Sequence, residues 1–265
     1  MRIVHPSMSK RDVLRSAVAA GLTDRPLQFL RYETISLAGP RAVTYRLRGR
    51  SSSVVIRHGT LDIDRLVDGF GRRRPALPDA AGTVLARLQA PPRILDLGAG
   101  PGLGALALLE IFPGARVISV EPEPTNVLIL RRTMNANPQF SGWTEIVGAT
   151  GEGNYLPGPG YRRRSRPSAT GDRVAQAAAT DAFGLLEQAD MARLNIQGAE
   201  WPLLEDARFA RIAPSVLVVE CHRRGCPDPD PAAHAGRLLS AAGYTIRCLV
   251  RPRGRNPVLT AWRAT

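Results

Sequence analysis

The sequence has almost no lysine, few aromatic residues and no apolar run long enough to cross a bilayer. Lys10 is the only lysine, so the positive charge is carried by arginine. Phe, Trp and Tyr make up 5% of the chain, and they do not interleave with basic residues. Nothing in that pattern supports a stacking platform for single-stranded nucleic acid. A membrane span needs about 18 or more consecutive apolar residues, and none is present. Met1-Arg2-Ile3-Val4-His5-Pro6 lacks the apolar stretch of a secretory signal, so a cytoplasmic enzyme is expected. Cys221, Cys226 and Cys248 are too few for a disulfide framework in a chain of 265 residues. The spacing of Cys221, His222 and Cys226 fits no usual zinc pattern, and no second ligand pair accompanies it. No metal site is expected.

What is present is an ordinary globular balance, 44% hydrophobic and 22% charged, which suits one α/β domain with an extension. The net charge of +13 is unevenly placed. Residues 1–90 carry 16 basic and 7 acidic residues, net +9; the remainder carries 20 and 16, net +4. Such an excess can attract nucleic acid or an anionic substrate. A solvated basic surface accounts for it equally without any partner.

Ser9 and Asp12 form the frame of a capping box, and Val13, Leu14, Ala17 and Val18 follow at helical spacing up to Gly21. Residues 32–37, 42–48 and 53–57 read as strands, and 61–70 and 80–89 as helices. From residue 93 the rhythm changes to strand, glycine turn, helix, strand. Strands are expected at 93–97, 115–121, 144–149, 191–196 and 215–220, with helices at about 102–111, 125–135 and 231–242. A loop spans 151–173. Two closing strands, about 244–250 and 258–263, are joined by a short Arg/Pro/Gly loop and form a hairpin, so one of them runs antiparallel. The alternation predicts an α/β fold with a mostly parallel, Rossmann-like sheet. The expected division is an N-terminal extension over 1–85 and a cofactor-binding domain over 86–265.

Asp96-Leu97-Gly98-Ala99-Gly100-Pro101-Gly102 follows the first core strand. Glycines there let the backbone turn sharply and approach a ligand closely. Glu121 ends the next strand 25 residues after Asp96, where a carboxylate accepts hydrogen bonds from ribose hydroxyls. Gly100 to Ala105 also satisfies the dinucleotide pattern G-x-G-x-x-G/A, so both NAD and S-adenosylmethionine (SAM) fit these two elements. Asn195 to Glu200 and Glu220-Cys221-His222 fall at the ends of the fourth and fifth strands, the edge where open α/β sheets bind ligands.

In the order and spacing of these motifs the chain resembles the FkbM family of SAM-dependent O-methyltransferases. Ile94–Gly104 is similar to the family's cofactor loop, and Glu121–Asn126 to its acidic strand end. Asn195–Glu200 falls on an Asp-x-Glu-Gly-Ala-Glu signature, Glu220–His222 on a Glu-x-His strand end, and Arg57–Asp62 on a short upstream stretch. The resemblance implies a class I methyltransferase fold, a seven-stranded sheet with an antiparallel C-terminal strand. It implies SAM as cofactor, held by Asp96, Gly98, Ala99, Gly100, Gly102, Glu121, Pro122, Asn126, Gly148 and Ala149. It also implies a small hydroxylated acceptor such as a sugar or part of a secondary metabolite or glycolipid, which can be anionic.

The chain departs from the family at Asn195 and Gln197, where two carboxylates become amides. Amides are not general bases. His222, with Glu220 to orient it or hold substrate, is then the expected base, and Asn195 occupies the position of the family's carboxylate. Two other readings stay open: a nucleic-acid methyltransferase, and a SAM-binding protein without turnover. Arg162, Arg163, Arg164 and Arg166 in the long loop are candidates for a lid or an anion contact.

Overall fold

The computed structural model describes residues 9–34, 41–71, 77–150, 154–155, 175–212, 214–250 and 256–263. Its first helix starts at the capping box. Ser9 Oγ accepts from the Asp12 N–H at 3.1 Å, and Asp12 Oδ2 accepts from the Ser9 N–H at 3.3 Å, which satisfies two otherwise free donors. Helix α1 (Lys10–Gly21) is followed by α2 (Pro26–Thr34). The strand expected over 32–37 is not found: 32–34 complete α2, and 35–40 lie outside the described residues. Phe29 and Glu33, four apart, form the buried face of α2. Phe29 packs on Tyr45 and His58, so burial at helical spacing overrides the strand-like composition downstream.

Strands β1 (Ala42–Arg46) and β2 (Ser53–Arg57) form an antiparallel pair, followed by α3 (Asp62–Phe70) and α4 (Asp79–Ala86). The glycine loop lies between β3 (Arg93–Leu97) and α5 (Leu103–Leu109). Next come β4 (Arg116–Glu121), α6 (Pro124–Asn135) and β5 (Trp143–Val147). Short pairs follow, β6 (Ala149–Thr150) with β9 (Ala179–Thr180) and β7 (Asn154–Tyr155) with β8 (Ala175–Gln176). The expected strand over 144–149 therefore breaks at Gly148. The chain continues through α7 (Ala182–Glu187), β10 (Met191–Leu194), α8 (Glu200–Glu205), α9 (Phe209–Ile212), β11 (Val216–Glu220), α10 (Pro231–Ala241), β12 (Thr245–Val250) and β13 (Val258–Trp262).

Seven strands form one sheet in the order β12-β13-β11-β10-β3-β4-β5. Only β13 runs against the rest, pairing antiparallel with β11 and β12. This is the Rossmann-like α/β arrangement with an antiparallel C-terminal strand that the sequence predicts. The chain leaves β3 toward β4 and β5, then crosses back to β10 on the other side of β3. That reversal opens a crevice at the C-terminal ends of β3 and β10, where such sheets bind ligands.

Strand alternation divides the core. Ile94, Val117 and Met191 face one apolar cluster with Leu103 and Leu106 of α5, and Ile63, Leu66 and Phe70 of α3 join it. Leu95, Leu97, Ala192 and Val219 face the other, with Trp201, Leu203 and Leu239. Residues of α1–α3 and β1–β2 thus share a core with α5 and one face of the sheet. Leu106→Ala in this shared core should lower unfolding free energy by about 2–5 kcal/mol. Urea denaturation checks this, and a loss below about 1 kcal/mol would mean that the face is loosely packed.

Candidate active site

The glycine loop is pinned between the ends of β4 and β10. The N–H groups of Gly98 and Ala99 both donate to the Val120 carbonyl, at 2.9 and 3.1 Å, and the Asn195 N–H donates to the Leu97 carbonyl at 2.9 Å. Gly98 has φ +77°, and a β-carbon there would stand 2.0 Å from the Asn195 carbonyl oxygen. No other residue fits without moving one of the two strands. Gly102 caps α5 and lies against Leu130 and Trp143.

Glu121 receives this loop. Its Oε2 accepts from the Gly100 N–H at 2.7 Å; its Oε1 accepts from the Glu123 N–H and from Asn126 Nδ2, each at 3.0 Å. Only 5% of Glu121 is exposed. Burial pushes its pKa up; the hydrogen bonds from Asn126, Glu123 and Gly100 and the nearby charge of Arg65 work against that rise. Two carboxylate oxygens offer about four acceptor sites, so capacity remains for a hydroxyl. Asn126 is itself held, its Oδ1 accepting from Arg57 Nη2 at 2.8 Å. Arg57 grips Asp62 through two parallel bonds, 2.7 and 2.8 Å. The upstream Arg57–Asp62 stretch therefore braces the strand-end carboxylate through Asn126, a role that its sequence alone does not reveal. Half-buried Pro122 follows Glu121 directly. The Gly148 N–H donates to the Glu121 carbonyl at 3.3 Å, and the Ala149 N–H to Ala178 at 3.0 Å, so both stand beside this strand end.

Asp96 is fully buried. Its Oδ1 accepts from Arg193 Nη1 at 2.7 Å, across adjacent strands in register. Its Oδ2 is buried with no hydrogen-bond partner among the described residues. Leaving a buried acceptor unpaired costs about 1–3 kcal/mol, which a donor such as an ammonium group removes. Gly104 makes room for this pair: a β-carbon there would lie 2.8 Å from the Arg193 guanidinium carbon. Gly104, which falls between the fixed positions of the dinucleotide-like pattern, thus seats an arginine. An orphaned acid, a loop stripped of side chains and a strand-end carboxylate suit an adenosine ligand with an amino-acid tail.

At the end of β11 the structure builds a second unit. His222, 5% exposed, lies with Nδ1 2.9 Å from Glu200 Oε1. The same oxygen accepts the His222 N–H at 2.8 Å, and Glu200 Oε2 accepts the Gly198 N–H at 2.8 Å. Trp201 Nε1 donates to the His222 carbonyl at 3.1 Å and to that of Arg224 at 2.8 Å. With Nδ1–H donating to Glu200, the network assigns Nε2 as the open acceptor. Nε2 has no hydrogen-bond partner among the described residues, and Glu220 Oε1 stands 3.7 Å away.

Orientation of the ring therefore falls to Glu200 and not to Glu220, whose Oε1 accepts from Asn256 Nδ2 at 3.0 Å. The signal for Glu200 was its place in the Gly-Ala-Glu turn. Its pairing with a residue 22 positions away needed the fold. Asn195 stands half-buried at the end of β10, its Oδ1 3.4 Å from Gln197 Nε2. Cys221 is buried and Cys226 half-buried, both as free thiols. Among the described residues no group of three or more His, Cys, Asp or Glu side chains is placed to hold a metal. The arginines at 162–166 lie outside the described residues.

Burial pushes the His222 pKa down, but the Glu200 hydrogen bond and charge, aided by Glu220, outweigh it, and the net direction is up from 6.5. The stability drawn from this pair is present below pH 6.5 and lost as pH rises through the higher folded value. The neutral, proton-accepting form grows over that same rise. Glu200→Gln should move the His222 titration, read by NMR, to lower pH because burial then dominates. A titration that stays in place would remove Glu200 from the site's electrostatics.

No family model matches the chain. It is 33% identical over 121 residues to the type II methyltransferase M.XamI of Xanthomonas campestris pv. amaranthicola, a match covering 42% of this chain and 21% of that protein. The chain therefore spans about a fifth of the length of that curated relative. Among solved structures, M. jannaschii TYW2 in complex with AdoMet aligns with TM-score 0.46 and 12% identity, over 86% of this chain and 88% of that one. The O-methyltransferase family 2 protein from Planctomyces limnophilus DSM 3776, in complex with apigenin, aligns with TM-score 0.46 and 14% identity, over 77% and 59%.

Proposed function

We propose that this chain is a SAM-dependent O-methyltransferase of the FkbM type, acting in the cytoplasm on a hydroxyl of a small molecule such as a sugar or part of a secondary metabolite or glycolipid. The observation that carries the reading is the Glu200–His222 pair, with Nε2 buried and without a hydrogen-bond partner among the described residues, at the same sheet edge as Asp96 and Glu121. Glu121 accepts a ribose hydroxyl, and Asp96 Oδ2 accepts from the ammonium of the amino-acid portion. Gly148 and Ala149 flank the adenine, and Pro122 and Asn126 shape the turn beneath it. Among the described residues no helix is long and apolar enough to cross a membrane.

SAM, when bound, supplies a methyl group on a positively charged sulfur. His222 Nε2 would take the acceptor's hydroxyl proton and hold it on the imidazole. Glu200 stabilises the imidazolium and holds the ring. Glu220, on the far side of Nε2, and the Asn195 amide position the acceptor. Asn195 cannot take the proton itself.

His222→Gln should lower turnover by about 10²- to 10⁴-fold while leaving affinity for S-adenosylhomocysteine within about twofold. An unchanged kcat on a cognate acceptor would sink the base assignment. Cofactor binding with no turnover on a wide acceptor panel would favour a non-catalytic binder, the reading that Asn195 and Gln197 motivate. A second reading, methylation of nucleic acid, is favoured by the type II methyltransferase relative and by the net +9 of residues 1–90. It requires binding to duplex DNA or RNA that weakens steeply with salt. Absent or salt-independent binding rules it out.

A further inference from the structure

Helix α3 packs on α5 beside the glycine loop, and Arg65 reaches over that loop from α3. A β-carbon on Gly100 would stand 3.4 Å from the Arg65 guanidinium carbon, 3.6 Å from Nη1 and 3.7 Å from Nε. The guanidinium thus lies against the one loop residue whose N–H binds Glu121. We propose that Arg65 holds the α-carboxylate of the cofactor's amino-acid portion. This rests on SAM being the ligand and extends that reading to a residue of the N-terminal extension.

Three observations converge. Arg65 is only weakly engaged: its partner among the described residues is Asp62 Oδ1 at 3.3 Å, and Arg57 already holds both oxygens of Asp62 at 2.7 and 2.8 Å. A guanidinium has five N–H donors, and 34% of this side chain is exposed, so it retains donors for a planar anion. Second, Glu121 is supplied by Gly100, Glu123 and Asn126, so Arg65 is not consumed there although its charge is felt. Third, Asp96 Oδ2 is orphaned on the sheet face that α3 and α5 cover, a seat for an ammonium. An α-amino acid presents its ammonium and carboxylate on one carbon. A site with an orphaned acid for the first calls for a cation beside the same loop for the second.

Calorimetry with SAM and with decarboxylated SAM, which keeps the sulfonium and the ammonium but lacks the carboxylate, tests this on the full chain. Arg65→Gln should weaken SAM by about 10- to 100-fold, the scale of a lost charge-assisted hydrogen bond, and leave decarboxylated SAM within about twofold. Arg65→Lys should recover part of the SAM affinity, since it keeps the charge but not the fork. Equal weakening of both ligands would overturn the proposal and leave Arg65 as a brace for Glu121 or for the fold. SAM affinity unchanged in Arg65→Gln would overturn it too. A wild-type chain that binds neither compound would instead remove the cofactor reading itself, and this inference with it.

Discussion

The buried carboxylate of Glu121 is the interaction on which the site's architecture depends. It joins three segments far apart in sequence: the loop after β3 through Gly100, the start of α6 through Asn126, and the end of β2 through Arg57, which holds Asn126. Each link is a hydrogen bond to a charged partner in a poorly hydrated place, where such bonds are strong and unpaired groups are costly. The Arg57–Asp62 pair completes the chain, so the end of β2 and the start of α3 help to hold the strand-end carboxylate.

A second charge system stands on the other side of β3. Arg193 balances the buried Asp96 on the adjacent strand and also feels the charge of Glu220. Burial works against its positive charge, but the two acids outweigh that and raise its pKa. Arg193 therefore connects the Asp96 side of this sheet edge to the Glu220–His222 side electrostatically. Gly104 permits this by leaving space for the guanidinium.

His222 shows how burial and charge compete at one residue. A dry surrounding alone would favour the neutral ring, yet the fully buried Glu200 holds Nδ1–H and tips the balance toward the protonated form. That arrangement fixes the tautomer and directs Nε2 away from Glu200. Glu200 in turn is anchored by two backbone N–H groups, of Gly198 and His222, so the pair has little freedom to reorient.

Much of the fold was legible in the sequence because its signals are local. The capping box at Ser9, the apolar pattern of β3 and β4, the glycines between β3 and α5 and the closing hairpin each follow from neighbouring residues. Asp96, Glu121 and His222 could be placed at one sheet edge from their positions at strand ends, since parallel strands bring those ends together. The helix over 26–34 was not legible, because burial of Phe29 and Glu33 depends on β1 and on His58, which lie later in the chain. The same limit hid Glu200 behind His222, Arg57 behind Asn126 and Arg193 behind Asp96. The chain's own order determined which residues stand at strand ends and turns. Only the tertiary structure decided which carboxylate meets which cation or ring, because side chains 22 to 97 positions apart become neighbours only once the strands are in register.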